Sequence, residues 1–301
     1  MPDLLLEVAL RPLWKRSIEK MADSTKQSWT GAVITIGLYS QDVDLVWGRI
    51  DTYSRIEGAV FHKIVFTWLA EPKMMIIDVG GGNGRHAFDL AAQGHRVRLC
   101  DLTPELVADA QRRNEAAQHP LSDIRIADAR DLPWPTRSAD AALMLGPMYC
   151  IPDEQGRVAA LRELGRVVRP GGILLVQFLS RIGGLRAVLF GAWKKAGLFD
   201  WRSYMETGHF TDSSIPLSLR ASIYWHSLEQ IEKEMAAAGL DMLQVYGMDG
   251  PGPEAQYLIR EAPQEIIDQW ADISYSISTD PATLNTNNHI LVVGRVPSDA
   301  L

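Results

Sequence analysis

The sequence predicts an α/β fold in which helices cover both faces of a mostly parallel sheet. From residue 55 onward, short apolar segments rich in Val, Ile and Leu alternate with segments of helical periodicity. Strands that are buried on both faces are expected to show continuous apolar runs of this kind, rather than alternating ones. The expected strands are residues 74–79, 96–100, 124–127, 141–145, 173–178, 242–246 and 290–294.

Three local signals place helix ends between these strands. Thr103 followed by Pro104 is typical of a helix start, because Thr caps free N–H groups and Pro suits the first turn. Ser227 and Gln230 have the spacing of a capping box. Gly94 stands where the first helix of the sheet region is expected to end.

The composition argues against several classes of protein. The chain has 301 residues, 47% of them hydrophobic, and a net charge of −7 without a basic run. Phosphate binding needs clustered Lys and Arg, so we expect no nucleic-acid partner. Cys100 and Cys150 have neither metal-ligand nor disulfide-framework spacing, so we expect no metal and a reducing, cytoplasmic location.

The chain divides into an N-terminal helical or lid segment, residues 1–54, and a larger domain, residues 55–297. Residues 4–21 have the periodicity of an amphipathic helix, with basic residues mostly on its polar side. Such a helix packs on its own domain, on a partner subunit in a homodimer, or on a membrane surface. The N-terminus does not resemble a signal peptide, and no stretch approaches 18 apolar residues.

A glycine-rich turn after the first strand is the most informative motif. It reads D-x-G-x-G-x-G and comprises Asp78, Gly80, Gly81, Gly82 and Gly84. Glycine allows a close approach of backbone to a ligand, and the following helix offers free N–H groups. The dinucleotide pattern G-x-G-x-x-G would need a glycine at Arg85, and a carboxylate beside a pyrophosphate would be repelled. An ammonium group is the better partner for Asp78.

This turn resembles the first motif of class I S-adenosylmethionine-dependent methyltransferases, which have a Rossmann-like fold with a seven-stranded sheet. The resemblance implies that the turn holds the amino-acid end of S-adenosyl-L-methionine. It also implies that further residues at the strand ends contact the ribose, the adenine and the methyl end of this cofactor. These are Asp101 and Leu102 for the ribose, Asp128, Ala129 and Arg130 near the adenine, and Leu145 and Gly146 beside the methyl group.

Taken alone, some of these positions have structural alternatives. The alternative for Asp101 is a helix cap at a strand end, and the alternative for Arg130 with Asp131 is a surface ion pair. The resemblance is carried by residues 74–178, where the motifs follow in the expected order. Three further segments more weakly resemble bacterial small-molecule methyltransferases, namely residues 207–209, 224–226 and 280–289.

Residues 181–226 form an aromatic-rich insertion, which we interpret as a lid over a small apolar or aromatic acceptor. The alternative is a satellite core under a long loop. The candidate acceptor-binding residues are Tyr39, Trp47, Tyr149, Tyr204 and Tyr224. The candidate general bases are His226, His209 and Tyr149, and the alternative for each is a structural role.

Two other functions stay open from the sequence. One is a nicotinamide-dependent oxidoreductase, which the residue at Arg85 disfavours. The other is a non-catalytic subunit that binds the cofactor for structural reasons. The segment Leu145-Gly146-Pro147-Met148-Tyr149 lacks the Asp or Asn that precedes the first proline in enzymes that methylate exocyclic amino groups of nucleic-acid bases or glutamine. That difference argues against this branch.

Overall fold

The computed structural model describes residues 43–52, 54–189, 198–211, 215, 223–253, 259 and 261–298. The amphipathic segment at residues 4–21 and Tyr39 lie outside these residues, and with them the homodimer contact expected through the N-terminal helix.

The described chain contains one seven-stranded sheet with the order β3-β2-β1-β4-β5-β7-β6. Strands β1 to β5 are parallel, and β7 is antiparallel to both β5 and β6. This confirms the predicted mostly parallel sheet and the Rossmann-like class. The strands are β1 (Met75–Val79), β2 (Arg96–Asp101), β3 (Asp123–Ile126), β4 (Ala139–Met144), β5 (Val168–Leu179), β6 (Asp241–Gly247) and β7 (His289–Arg295).

Helices flank the sheet on both faces because successive side chains of a strand point to opposite sides. The described helices are α1 (Val43–Thr52), α2 (Arg55–Trp68), α3 (Arg85–Ala92), α4 (Pro104–Glu115), α5 (Pro147–Cys150), α6 (Glu154–Val167), α7 (Arg181–Ala187), α8 (Trp201–Thr207), α9 (Leu228–Ala237), α10 (Gln264–Ile277) and α11 (Pro281–Leu284). In β1, Ile77 packs in the core under α6 and α9, whereas Ile76 packs in the core under α2 and α3. None of the helices in these ranges is long and apolar enough to cross a membrane.

The local signals for the helix ends are confirmed. Thr103 is the N-cap of α4 and Pro104 is its first residue. The Ser227 hydroxyl accepts a hydrogen bond from the Gln230 N–H at 3.2 Å, as a capping residue should. Helix α3 ends at Ala92, and Gly94 follows with a φ of 93°, which favours glycine.

Strand β5 is longer than predicted because it includes the turn before the apolar run. It begins at Val168, which pairs with Ala139, and an irregularity follows before Ile173 pairs with Ala141. Such a bulge adds residues to one strand without changing its partner.

The insertion after β5 leaves and returns at the same place. An isolated bridge joins Ser180 to His226, and the Arg181 N–H donates to the His226 carbonyl at 2.8 Å. The His226 N–H in turn donates to the Leu179 carbonyl at 2.7 Å. The two ends of the insertion are therefore joined by backbone hydrogen bonds, so that the end of β5 lies beside the start of α9.

Candidate active site

A cavity of about 840 Å³ opens at the carboxyl ends of the parallel strands. Ligands bind at this edge in open α/β sheets. All but one of the predicted cofactor residues line it, namely Asp78, Gly80, Gly81, Gly82, Asp101, Leu102, Asp128, Ala129, Arg130, Leu145 and Gly146. The exception, Gly84, is the N-cap of α3, with a φ of 92°. The structure thus brings the separate sequence motifs together at one cavity.

Glycine is required twice at this turn by close contacts. A Cβ atom on Gly80 would lie 2.5 Å from the Pro147 side chain, and φ at Gly80 is 68°. A Cβ atom on Gly81 would lie 2.5 Å from Oδ2 of Asp78. Contacts this short would force the turn to move, so the glycines keep the cavity wall in place.

The Asp78 carboxyl is buried in the cavity wall with one oxygen available to a ligand. It is almost fully buried, and its Oδ2 has no hydrogen-bond partner among the described residues. Burial, with a smaller contribution from the Asp101 carboxylate, raises the pKa of Asp78 to about 7. A buried polar group without a partner is unfavourable, and an ammonium group in the cavity would supply one. This residue therefore fits the amino-acid end of S-adenosylmethionine.

The Asp101 carboxylate shapes the turn as well as facing the cavity. Its Oδ2 accepts a hydrogen bond from the Gly82 N–H at 2.9 Å, and its Oδ1 accepts one from the Thr103 N–H at 2.8 Å. Burial raises the pKa of Asp101, although these hydrogen bonds act in the opposite direction. Each carboxylate oxygen has a second lone pair, so the group can still accept from ribose hydroxyls.

We expect Asp101→Asn to reduce both cofactor affinity and stability. Affinity for S-adenosylhomocysteine should fall by roughly 10- to 100-fold, since hydrogen bonds to a charged group contribute about 1.5–3 kcal/mol. The free energy of unfolding should fall by about 1–3 kcal/mol, because the amide NH₂ faces one of the two backbone donors. Calorimetric titration and urea unfolding measure the two effects. Asp131→Asn, at an exposed aspartate outside the cavity lining, is the matched control.

Asp128 forms an ion pair at the adenine end of the predicted site. Its Oδ2 lies 2.6 Å from Nη2 of Arg130, and its Oδ1 accepts from Nε at 2.9 Å. These hydrogen bonds lower the pKa of Asp128. The partner of Arg130 is thus Asp128, where the sequence had suggested Asp131. The carboxylate still lines the cavity beside Ala129.

Helix α1 packs beside the glycine turn, but Trp47 points elsewhere. Val46 lines the cavity, and the Asn83 amide donates to the Val43 carbonyl at 2.7 Å. The Trp47 ring instead lies 4.0 Å from the Arg113 guanidinium and does not line the cavity. The geometry therefore corrects the acceptor-binding role predicted for Trp47, because cation–π contact with α4 turns the ring away.

Neither predicted histidine base lines the cavity. The His226 ring is fully buried, 4.9 Å from the Phe178 ring, and burial lowers its pKa to about 4. His209 lies with Nε2 3.3 Å from the Pro152 carbonyl, and burial lowers its pKa. A base must come within hydrogen-bond reach of its proton, directly or through one water. We therefore correct both assignments.

Two predicted acceptor-binding tyrosines pack away from the cavity, Tyr204 in a satellite core and Tyr224 against Arg157. Tyr204 is stacked on Phe210 with 3.9 Å between ring centroids, and its hydroxyl donates to the Arg181 carbonyl at 2.6 Å. The Tyr224 ring covers the Arg157 guanidinium at 3.5 Å. Neither residue lines the cavity. For the described part of the insertion, the satellite-core alternative is correct, and Ile223 is the residue from it that lines the cavity.

Tyr149 does line the cavity, as predicted, from the short helix α5. Its hydroxyl donates to the Leu145 carbonyl at 2.9 Å. This bond directs the phenol toward the chain segment that follows β4. Tyr149 therefore shapes the wall of the cavity at the place where the methyl end of the cofactor is expected.

Four side chains that line the cavity received no role from the sequence: Glu57, Phe61, Gln177 and His289. Two of them left a signal in the sequence. Gln177 interrupts the apolar run Ile173–Phe178, and Glu57 falls on the otherwise apolar face of α2. A polar residue on a buried face needs a partner or a function.

The middle of the chain matches a known family. A family described as "Methyltransferase domain" matches residues 76–172. Malonyl-[acyl-carrier protein] O-methyltransferase of Serratia marcescens is 29% identical over 149 residues, which are 49% of this chain and 54% of that protein. The tRNA 5-carboxymethoxyuridine methyltransferase of Escherichia coli is 30% identical over 138 residues, 44% of this chain and 51% of that protein. The chain spans about half the length of these relatives.

A solved structure shares the fold. An S-adenosylmethionine-dependent methyltransferase from Methanosarcina mazei has a TM-score of 0.54 and 17% identity, covering 78% of this chain and 97% of that one. Together, sheet order, glycine turn and family match make residues 76–172 similar to class I methyltransferase domains. This similarity indicates S-adenosylmethionine as the cofactor, and residues of the matched segment form most of the cavity lining.

Proposed function

We propose that the protein transfers the methyl group of S-adenosylmethionine to a small, apolar or aromatic acceptor. The observation that carries this is the buried Asp78 carboxyl with its partnerless Oδ2 beside the glycine turn. Asp101 and Asp128 at the next two strand ends add ribose and adenine acceptors in the order that the cofactor needs. When bound, S-adenosylmethionine supplies a methyl group already activated on a sulfonium.

The residues of this chain would then bind, align and exclude water. The part of the cavity at the ends of β1, β2 and β3, the cofactor half, would hold the cofactor. The part at the ends of β4, β5 and β7, the acceptor half, is then available to the acceptor. Apolar side chains line the cavity near the junction of the two halves, namely Leu145, Pro147 and Leu179. Holding the two reacting atoms in line at about 3 Å supplies much of the rate in such a transfer.

A small acceptor suits the charge of the molecule better than a nucleic acid does. The net charge is −7, and carboxyl groups outnumber guanidinium groups in the cavity lining: Glu57, Asp78, Asp101, Asp128 and Asp153 against Arg85 and Arg130. A polyanion would meet repulsion at this entrance. The named relatives act on an acyl-carrier protein and on a tRNA, so their names do not point to one acceptor class.

Binding of S-adenosylhomocysteine tests the cofactor part of the proposal. We expect a dissociation constant in the micromolar range, about −8 kcal/mol, and no requirement for metal. At 100 times that constant, the ligand should stabilise the fold by about 2.7 kcal/mol, whereas NAD should not. Equal stabilisation by NAD would favour the oxidoreductase, and loss of binding after EDTA treatment would contradict metal independence.

Transfer of labelled methyl separates an enzyme from a non-catalytic binding subunit. The parent protein is incubated with methyl-labelled donor and a panel of simple phenols, amines and thiols. Labelled product from at least one class supports the proposal. Tight binding of S-adenosylhomocysteine, with no transfer to this panel or to a metabolite extract, would favour the non-catalytic subunit.

A further inference from the structure

The cavity contains a polar cluster that the cofactor does not explain. Gln177 comes from β5, Glu57 from α2 and His289 from the start of β7, and all three line the cavity. Asp249, in the loop after β6, is buried against His289 and does not itself line the cavity. Strand β7 is three places from β1 in the sheet, a separation of about 14 Å at the usual strand spacing. The cluster, which we call the His289 cluster, therefore lies in the acceptor half.

Asp249 fixes the orientation of the His289 ring. One oxygen of its carboxylate lies 2.9 Å from Nδ1 of His289, and the other accepts from the backbone N–H of the same residue at 2.7 Å. With Nδ1–H donating to a carboxylate, Nε2 carries the lone pair. Asp249 thus holds both the ring and the backbone of His289, which limits the directions in which Nε2 can point.

Asp249 is itself held by a buried support. The Asp249 N–H donates to Oδ1 of Asn287 at 2.6 Å, and the Asn287 amide donates to the Thr283 carbonyl at 2.9 Å. Asp249 and Asn287 are both nearly fully buried. Gly247 is needed for this arrangement, because a Cβ atom there would lie 2.3 Å from the Asn287 amide. This support fixes the backbone of Asp249, from which its carboxylate reaches His289, and such support keeps a functional side chain in position.

A second carboxylate faces the same ring nitrogen. Oε2 of Glu57 lies 3.7 Å from Nδ1 of His289, and Oε1 accepts a hydrogen bond from the Gln177 amide at 2.9 Å. The ionisable groups that the described structure places against the ring are thus two carboxylates, from α2 and from the loop after β6. Two negative charges stabilise a protonated imidazole.

We propose that His289 is the catalytic base that takes the proton of the methyl acceptor, and that Asp249 is its positioning residue. This rests on the proposed function, and it requires an acceptor with an O–H, N–H or S–H group. The acceptor atom forms a bond to the methyl carbon, the carbon–sulfur bond breaks, and its electron pair passes to sulfur. The acceptor proton passes to Nε2 of His289, giving an imidazolium beside Asp249, and then leaves to solvent.

The first test measures turnover in two variants and a control. His289→Asn should lower methyl transfer to the responding phenol, amine or thiol by about 10²- to 10⁴-fold, while affinity for S-adenosylhomocysteine stays unchanged. Asp249→Asn should move the acidic limb of the rate profile to lower pH by about 1–3 units, because one negative charge is lost from beside the imidazolium. His119→Asn, at an exposed histidine, should match the parent.

The second test does not depend on turnover. Nitrogen NMR of histidine-labelled, ligand-free protein should show His289 with the proton on Nδ1 at high pH, and a mixture of tautomers in Asp249→Asn. A proton on Nε2 in the parent protein, or normal turnover in His289→Asn, would overturn the proposal. Stimulation by Mn²⁺ that His289→Asn abolishes would also overturn it. A parent protein that transfers no methyl to any acceptor would instead contradict the proposed function.

Discussion

Replacing Glu234 by alanine should lower the free energy of unfolding by about 3–5 kcal/mol, because it leaves a buried guanidinium without its counter-charge. Glu234 and Arg157 are both almost completely buried between α6 and α9. Nε and Nη2 of Arg157 donate to the same carboxylate oxygen at 2.9 and 2.7 Å. Burial would raise the pKa of Glu234, but contact with His226 and Arg157 lowers it to about 2, so it stays ionised.

The same substitution should disturb the cavity. Nη1 of Arg157 donates to the carbonyls of Ile151 and Pro152, at 3.1 and 2.7 Å, and both residues line the cavity. Urea unfolding with the m-value monitored measures the stability loss. Glu232→Ala, at an exposed glutamate on the same helix, should change stability by less than about 0.5 kcal/mol. A loss of similar size in both variants would contradict the assigned role of Glu234.

Asp78→Asn should stabilise the ligand-free protein at pH 8 and weaken cofactor binding. The pKa of Asp78 is raised from 3.8 to about 7, so its ionised form destabilises the fold above that pH. A shift of about three units corresponds to an upper limit of about 4 kcal/mol, and we expect a gain of about 1–4 kcal/mol. The stability of the parent falls as pH rises from 3.8 through 7, so the gain should vanish near pH 4.

The affinity of Asp78→Asn should change in the opposite direction. Loss of the charge opposite the ammonium group should weaken S-adenosylhomocysteine binding by roughly 10- to 100-fold at pH 8. Asp131→Asn again serves as control and should move neither quantity. A variant that is less stable than the parent at pH 8 would show that Asp78 has a structural partner, and unchanged affinity would remove it from the cofactor site.

The meeting of the proposed cofactor residues at one cavity was predictable because their signals are local in sequence. The turn from Asp78 to Gly84 combines backbone requirements and charge within a few residues, and Asp101 and Asp128 follow at strand ends. Parallel strands carry such residues to one edge whatever lies between them. The observed strand ends differ from the predicted ones by a few residues, as at β5, which begins at Val168 and not at Ile173.

The acceptor half was not predictable in the same way. His289, Asp249 and Glu57 meet only because α2 and β7 pack at the same end of the sheet, although about 230 residues separate the first and last of them in the sequence. Tyr204 was wrongly predicted to bind the acceptor because aromatic residues in an insertion suit a lid and a satellite core equally well. Burial, which decides between these, is a property of tertiary packing.

The closed base of the insertion has a consequence for how this protein can change over evolution. Because Ser180 and His226 are joined by a bridge, the positions of β5 and α9 do not depend on the length of chain between them. Doubling a flexible loop whose ends are fixed costs only about 0.6 kcal/mol in closure entropy. Descendants of this chain can therefore change the length of that segment outside its satellite core while β5 and α9 keep their positions.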